Sequence, residues 1–89
     1  MEFEWDNNKN KSNQLKHQID FETAIKIFDD TNRITVESPQ KDEIRYLTIG
    51  LIIELVYAVV YVMRNTAIRI ISARRASKEE RKQYYEQKK

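Results

Sequence analysis

The feature that most constrains the fold is a short apolar segment that ends in paired arginines and meets a helix-start signal. Residues 68–71 (Ile-Arg-Ile-Ile) are mostly β-branched and apolar, which favours a central β-strand. Ser77 and Glu80 have the spacing of a capping box, in which each side chain bonds the backbone N–H of the other residue. The segment therefore predicts a strand over residues 67–73 that leads almost directly into a helix over residues 78–86.

Basic residues are concentrated around this strand-to-helix junction. Four arginines lie on or beside it: Arg69, Arg74, Arg75 and Arg81. Residues 1–63 hold 7 Lys/Arg and 11 Asp/Glu, whereas residues 64–89 hold 9 Lys/Arg and 3 Asp/Glu. A basic last third on an acidic body is typical of a module that meets a polyanion, and guanidinium groups suit phosphate. A solvated basic surface held by ordinary ion pairs is the alternative interpretation.

Length and composition exclude several classes of protein. The 89 residues fit one small domain, 1–89, with a frayed end. The absence of cysteine excludes disulfides and thiolate sites, and with His17 as the only histidine we expect no metal site and no cofactor. The apolar stretch 47–63 is short for a membrane span and carries Glu54 near its centre, so we predict two buried strands instead. No N-terminal signal is visible, so we expect a cytoplasmic protein.

Hydrophobic periodicity and turn signals divide the rest of the chain into further elements. They predict a strand over Glu2–Trp5, helices over 7–18 and 21–28, a strand over 33–37, and two long strands over 44–51 and 55–63. The turn around residues 52–54 lacks Gly or Asn, which leaves the register of the two long strands open. This order predicts an α+β fold, a mainly antiparallel sheet with two N-terminal helices and one C-terminal helix on one face.

The two N-terminal helices differ in their apolar content. Asp6 and Asp20 are the expected N-caps, and Leu15 is the expected apolar anchor of the otherwise polar first helix. The second helix has apolar residues at the i, i+3, i+4, i+7 spacing: Phe21, Ala24, Ile25 and Phe28. We expect this stripe to be core. The apolar residues 51–53 are a different case, since at an exposed hairpin tip they would suit contact with a partner or a second copy.

The order and spacing of several short motifs resemble BrnT-type toxins. In the first half these are Phe3-Glu4-Trp5-Asp6, Lys16-His17, Phe21-Glu22-x-Ala24 and Phe28-Asp29-Asp30. In the second half they are Arg45-Tyr46-x-Thr48-Ile49-Gly50, the run from Ile68 to Ala76, and Glu80-Arg81-x-x-Tyr84. The resemblance spans residues 3–85. The chain departs from the family pattern at Gln18 and at Asn65-Thr66, where members often have Gly.

The resemblance implies a fold, an activity and a partner. BrnT proteins are the toxin half of bacterial type II toxin–antitoxin pairs, with a RelE-like fold, and they resemble ribonucleases that cleave RNA and arrest translation. A BrnA-like antitoxin would block the toxin, in a dimer or a hetero-tetramer, and would supply the DNA contact. A non-catalytic nucleic-acid-binding or transcriptional regulatory module is the alternative function.

Strand parity predicts which basic residues share a face of the sheet. Strict alternation places Arg69 and Ile71 on one face, and Ile68, Ile70 and Ser72 on the other. If helices cover the isoleucine face, Arg69 lies on the open face. Arg45 and Tyr61 join it in one register of the middle strands and not in the other.

RNA cleavage without a metal ion requires a base for the 2′-hydroxyl, an acid for the 5′-oxygen and cations for the phosphate. The catalytic candidates are His17, Arg45, Arg69, Arg74, Arg75 and Tyr84, and the substrate-binding candidates are Lys16, Trp5 and Arg81. His17 is the candidate base or acid because imidazole is the side chain that titrates near neutral pH. The alternatives are a structural role for His17, packing at a sheet edge for Trp5, and packing of the last helix for Tyr84.

Overall fold

Five strands and three α-helices make up the protein, whose computed structural model describes residues 1–88. The elements are β1 (Glu2–Trp5), α1 (Asn7–His17), α2 (Phe21–Ala24), a 3-10 helix (Ile25–Asp29), β2 (Ile34–Pro39), β3 (Ile44–Ile52), β4 (Leu55–Arg64), β5 (Ala67–Arg75) and α3 (Lys78–Lys88). The sheet order is β1-β5-β4-β3-β2, with β1 parallel to β5 and the other pairs antiparallel. The predicted α+β class with a mainly antiparallel sheet is confirmed.

The strand register divides the sheet into two faces. The face of Tyr61, Ile68 and Ile70 carries the main core under α1, α2 and the 3-10 helix, and we call it the helix-covered face. The opposite face, which we call the open face, carries Ile49 and Val56, and α3 covers only that end of it. The expectation that all helices pack on one face is therefore wrong for α3.

The side on which α3 lies follows from Ala76, the first residue after β5. Its N–H donates to the Val56 carbonyl at 3.0 Å, so strand alternation continues for one more residue. The Ala76 side chain thus joins the buried cluster of the open face. Since α3 begins two residues later, at Lys78, the helix must start on that side.

Helix α1 is anchored by an asparagine. Asn13 is only 6% exposed, whereas Leu15, the predicted apolar anchor, is 81% exposed, so that prediction is wrong. The Asn13 side-chain amide donates to the carbonyls of Ala73 (2.8 Å) and Ile19 (2.9 Å) and accepts from the Ala73 N–H (3.1 Å). Strand β1 pairs only with residues 67–70 of β5 and does not reach Ala73. The Asn13 amide therefore bonds the N–H and C=O of Ala73 in place of a neighbouring strand.

The second predicted helix begins as expected and then tightens. Asp20 caps it by accepting from the Thr23 N–H at 2.8 Å, and the hydrogen bonds from Thr23 lower the pKa of the Asp20 carboxyl. After Ala24 the helix becomes 3-10, with three residues per turn, so Phe21, Ala24 and Ile27 are the fully buried residues. The predicted core residues Ile25 and Phe28 are only partly buried against this core.

The sole glycine allows the 3-10 helix to lie directly on β3. A Cβ added at Gly50 would lie 2.8 Å from Ile27 Cγ1 and 3.3 Å from both Arg33 Cβ and Asp30 Oδ2. These distances are shorter than ordinary van der Waals contacts, so only glycine fits without displacing these neighbours.

Among residues 1–88, three non-glycine residues adopt the left-handed backbone conformation. Gln18 and Asn65 each have φ of 56°. Ile53 has φ of 60° in a two-residue hairpin between Ile52 and Leu55, which settles the register that the sequence left open. A β-branched residue is strained in this region, and Ile53 is also 79% exposed.

The last helix has the predicted start and a later end. Ser77 N–H donates to Glu80 Oε1 at 2.8 Å and Glu80 N–H donates to Ser77 Oγ at 3.1 Å, which confirms the capping box. The helix continues through Lys88, two residues beyond the expected end, where the Gln87 amide donates to the Asn32 carbonyl. The rest of the predicted fraying, at Lys89, lies outside the described residues. No helix within residues 1–88 is long and apolar enough to span a membrane.

Candidate functional site

A β-bulge in β5 decides which basic side chains share the open face. The register shifts between Val60 and Tyr61, because Tyr61 pairs with Ile70 whereas Val60 pairs with Ser72. Ile71 is thus the extra residue, and the bulge moves Ser72 to the face of Arg69. The strict alternation expected from sequence was wrong from Ser72 onward.

The bulge also separates the two adjacent arginines at the end of β5. Arg74 pairs with Ala58 and lies on the open face, whereas Arg75 pairs with Tyr57 and lies on the helix-covered face. The Arg75 guanidinium carbon is 5.9 Å from the centroid of the Tyr57 ring, a cation–π contact. Of this pair, only Arg74 lies on the same face as Arg69.

Arg45 and Arg69 lie in one row across the open face. Arg45 pairs with Val62 of β4, and Val62 pairs with Arg69 of β5. With neighbouring strands about 4.8 Å apart, the two arginine Cα atoms are separated by about 10 Å. The second candidate for this face, Tyr61, lies on the helix-covered face instead, where its hydroxyl is 3.0 Å from Thr48 Oγ1.

Carboxylates hold two of these arginines to different degrees. One terminal nitrogen of Arg69 donates to Glu4 at 2.9 Å. Both terminal nitrogens of Arg74 donate to Glu80, at 2.7 and 3.0 Å, and these bonds lower the pKa of Glu80 to about 2. The same bonds raise the pKa of Arg74. Within residues 1–88, Arg45 forms no ion pair within 4.0 Å, so Arg45 and Arg69 have more donors left for a ligand than Arg74, the third arginine of the open face.

Two cavities are lined by residues of the open face. The first, of about 270 Å³, lies on the open face and is lined by Arg45, Arg74 and Ser38 among others. The second, of about 260 Å³, lies between α1 and the outer edge of β5, and its lining includes Lys9, Ser12, Lys16, His17 and Ser72. Since Ser72 belongs to the open face as well, the second cavity adjoins the basic surface at the edge of the sheet.

The other site residues predicted from the sequence, Trp5, Arg81 and Tyr84, each contact other residues of the protein. Trp5 lies on the helix-covered face with its ring edge-on to Phe21, at a centroid distance of 6.1 Å. Arg81 donates to the Ala76 carbonyl at 2.8 Å. Tyr84 is fully buried under α3, its hydroxyl donates to Asp30 at 2.6 Å, and burial together with this bond raises its pKa. The roles assigned to these residues stay predictions.

Sequence reasoning missed Lys9 and Ser72, which line the second cavity. Lys9 and Lys16 are seven residues apart, which places them on one side of a helix, so a signal for Lys9 was present. Ser72 had no such signal, because its face depends on the bulge. The pairing of Glu4 with Arg69 was equally hidden, since the two residues are 65 positions apart.

These features define a small α+β domain with a cationic open face that adjoins a cavity containing its one histidine. Such a surface has the chemistry of a site for a phosphate polymer. The family model described as "Ribonuclease toxin, BrnT, of type II toxin-antitoxin system" matches residues 5–80. The chain belongs to this family, which confirms the resemblance seen in the sequence and implies an antitoxin partner. No curated protein gives a significant match to the chain.

Proposed function

We propose that this protein is a toxin that cleaves RNA without a metal ion and thereby arrests translation. The observation that carries the proposal is the row of Arg45 and Arg69 on the open face, together with a cavity at the outer edge of β5 that is lined by His17 and by Ser72 of the same face. Family membership supports ribonuclease activity. The neutralising partner is a BrnA-like antitoxin, which also supplies the DNA contact.

The reaction follows from the groups that the site supplies. The 2′-oxygen attacks phosphorus, the bond to the 5′-oxygen breaks, and the products are a 2′,3′-cyclic phosphate and a 5′-hydroxyl. Arg45 and Arg69 stabilise the extra negative charge on the phosphoryl oxygens in the transition state. His17 accepts the proton of the 2′-hydroxyl or returns one to the 5′-oxygen.

The surrounding residues divide into binding and structural groups. Lys9 and Lys16 line the cavity of His17 and bind the phosphates on either side of the scissile bond. The charge of Arg74 is offset by Glu80, which occupies both of its terminal nitrogens, so Arg74 holds the start of α3 and has no free bidentate contact for phosphate. The contacts of Trp5 and Tyr84 favour packing roles for both.

Growth after induction in a bacterial host tests the toxin assignment. We expect the wild-type chain to arrest growth, and Arg69→Gln, Arg45→Gln and His17→Ala to relieve the arrest. Arg33→Gln is the matched control, because Arg33 is an exposed arginine that lines neither of the two cavities of the site. A folded wild-type chain that leaves growth unchanged would contradict the toxin function.

Cleavage of purified RNA tests the chemistry. We expect cleavage to persist in EDTA and to fall about 100-fold in Arg69→Gln, the usual cost of losing one preorganised cation or donor. Cleavage that disappears on chelation contradicts the metal-independent scheme. Salt-sensitive RNA binding without cleavage would instead favour the non-catalytic regulatory module.

A further inference from the structure

The two sides of the sheet are protected to different extents against pairing with another chain. At β5 the outer edge is covered by β1 at residues 67–70 and by the Asn13 amide at Ala73. At the opposite side, β2 is the last strand, and no strand among residues 1–88 pairs with its outer edge. An open edge of six residues is a template for an added strand.

The hydrogen-bond pattern shows which groups of β2 point outward. Gln40 N–H donates to the Glu43 carbonyl at 2.7 Å, so these two residues are a hydrogen-bonded pair at the end of the β2–β3 hairpin. Antiparallel pairs alternate, so Ser38 and Val36 bond to β3, while Thr35 and Glu37 direct their N–H and C=O groups away from it. Pro39 is also one of the outward-facing residues, so its missing N–H removes no hydrogen bond between β2 and β3. The edge therefore offers Thr35 and Glu37 to an extended segment.

The side chains beside this edge indicate the charge of that segment. Arg45 pairs with Ser38, and both line the cavity of about 270 Å³ that Arg74 also lines. Arg45 is exposed, and its strand is next to the edge strand, so its positive charge lies about one strand spacing from the edge. Glu37 lies on the other face and would repel a second carboxylate there. A segment that directs its acidic side chains toward the open face would attract Arg45 and avoid Glu37.

We propose that β2 is a docking edge for an acidic, extended segment of a partner protein, which adds a sixth strand to the sheet. The segment bonds the backbone of Thr35 and Glu37 and places carboxylates against Arg45. A second copy fits less well, because it would bring two basic open faces side by side. Since Arg45 belongs to the site of the proposed function, a docked segment would exclude RNA from it. The docking itself does not depend on ribonuclease activity.

NMR titration of the ¹⁵N-labelled full-length chain tests the docking edge. The probe is a capped seven-residue peptide of alternating glutamate and valine, and the control peptide has lysine in place of glutamate. We expect saturable shifts and slowed hydrogen exchange at the amides of Thr35 and Glu37 with the acidic peptide only. Arg45→Gln should weaken binding about two- to fivefold, the usual value of a partly exposed ion pair.

Substitutions at Glu37 separate backbone pairing from charge. Glu37→Pro removes an outward N–H and should weaken peptide binding about tenfold or more. Glu37→Thr keeps the N–H and removes the charge, so it should bind the acidic peptide at least as tightly as the wild type. If Glu37→Pro fails to fold, a peptide N-methylated at alternate residues removes the same bonds from the other side and should likewise not bind.

Several outcomes would overturn the docking edge. They are the absence of shifts in β2, equal binding of the lysine peptide, or tight binding of the N-methylated peptide. Concentration-dependent changes in β2 without any peptide would identify a second copy as the occupant and contradict the acidic segment. Peptide binding by a chain that does not cleave RNA would leave the docking edge in place while removing the proposed ribonuclease function.

Discussion

Replacement of Asn13 should destabilise the fold more than any other single change on α1. Asn13→Ala removes three hydrogen bonds and leaves the N–H and C=O of Ala73 and the C=O of Ile19 without that partner. Each bond contributes about 1 kcal/mol and each unsatisfied buried group costs about 1–3 kcal/mol, whereas alanine returns about 0.5 kcal/mol of helix propensity. Because α1 lies at the surface and water can reach part of the gap, we expect a loss of about 3–4 kcal/mol.

This loss is a large share of the total stability, which is about 5–13 kcal/mol for a chain of this length. Urea denaturation followed by circular dichroism at 222 nm measures it as a lower midpoint at an unchanged slope. Leu15→Ala is the matched control on the same helix, and we expect it to change stability by less than about 0.5 kcal/mol because Leu15 is 81% exposed. Equal losses in the two variants would refute the reasoning.

Three further predictions concern single residues. Ile53→Gly should raise the melting temperature, because the left-handed conformation strains the native isoleucine by about 1 kcal/mol or more and does not strain glycine. A lower melting temperature would contradict that strain. Gly50→Ala should lower stability by about 1–3 kcal/mol in urea denaturation because its Cβ meets Ile27, and an unchanged midpoint would show that the 3-10 helix moves freely. Glu80 has a pKa of about 2 when folded, below its ordinary 4.5, so its contribution is full above pH 4.5 and is lost as the pH falls toward 2. Solvent screening at Arg74, whose side chain is 39% exposed, limits that contribution to about 1–2 kcal/mol, and stability measured against pH should fall less steeply in Glu80→Gln than in the wild type.

The position of the arginines shows why a site is harder to predict than a strand. Residues 68–71 suggested a central strand from local composition alone, and β5 occupies that place between β1 and β4. The face on which each later side chain of β5 lies depends on whether the strand alternates regularly or contains a bulge. One extra residue, Ile71, brought Ser72 and Arg74 onto the face of Arg69 and left Arg75 on the other.

By itself, the sequence determined the features that depend on neighbours within about one helical turn. The N-caps at Asp6 and Asp20 and the capping box of Ser77 and Glu80 are of this kind, because donor and acceptor lie within three residues of each other. The order of strands and helices, and hence the α+β class, followed from the same local patterns of period two and period 3.6.

Only the tertiary structure decided which distant groups meet. Asn13 and Ala73 are 60 positions apart, Arg69 and Glu4 are 65 apart, and the 3-10 helix lies directly against Gly50 of β3. The side of the sheet on which α3 lies depended on how far strand alternation continued past Arg75, to the bond between Ala76 and Val56. In each case the deciding contact joins segments far apart in the chain, and no local propensity encodes that contact.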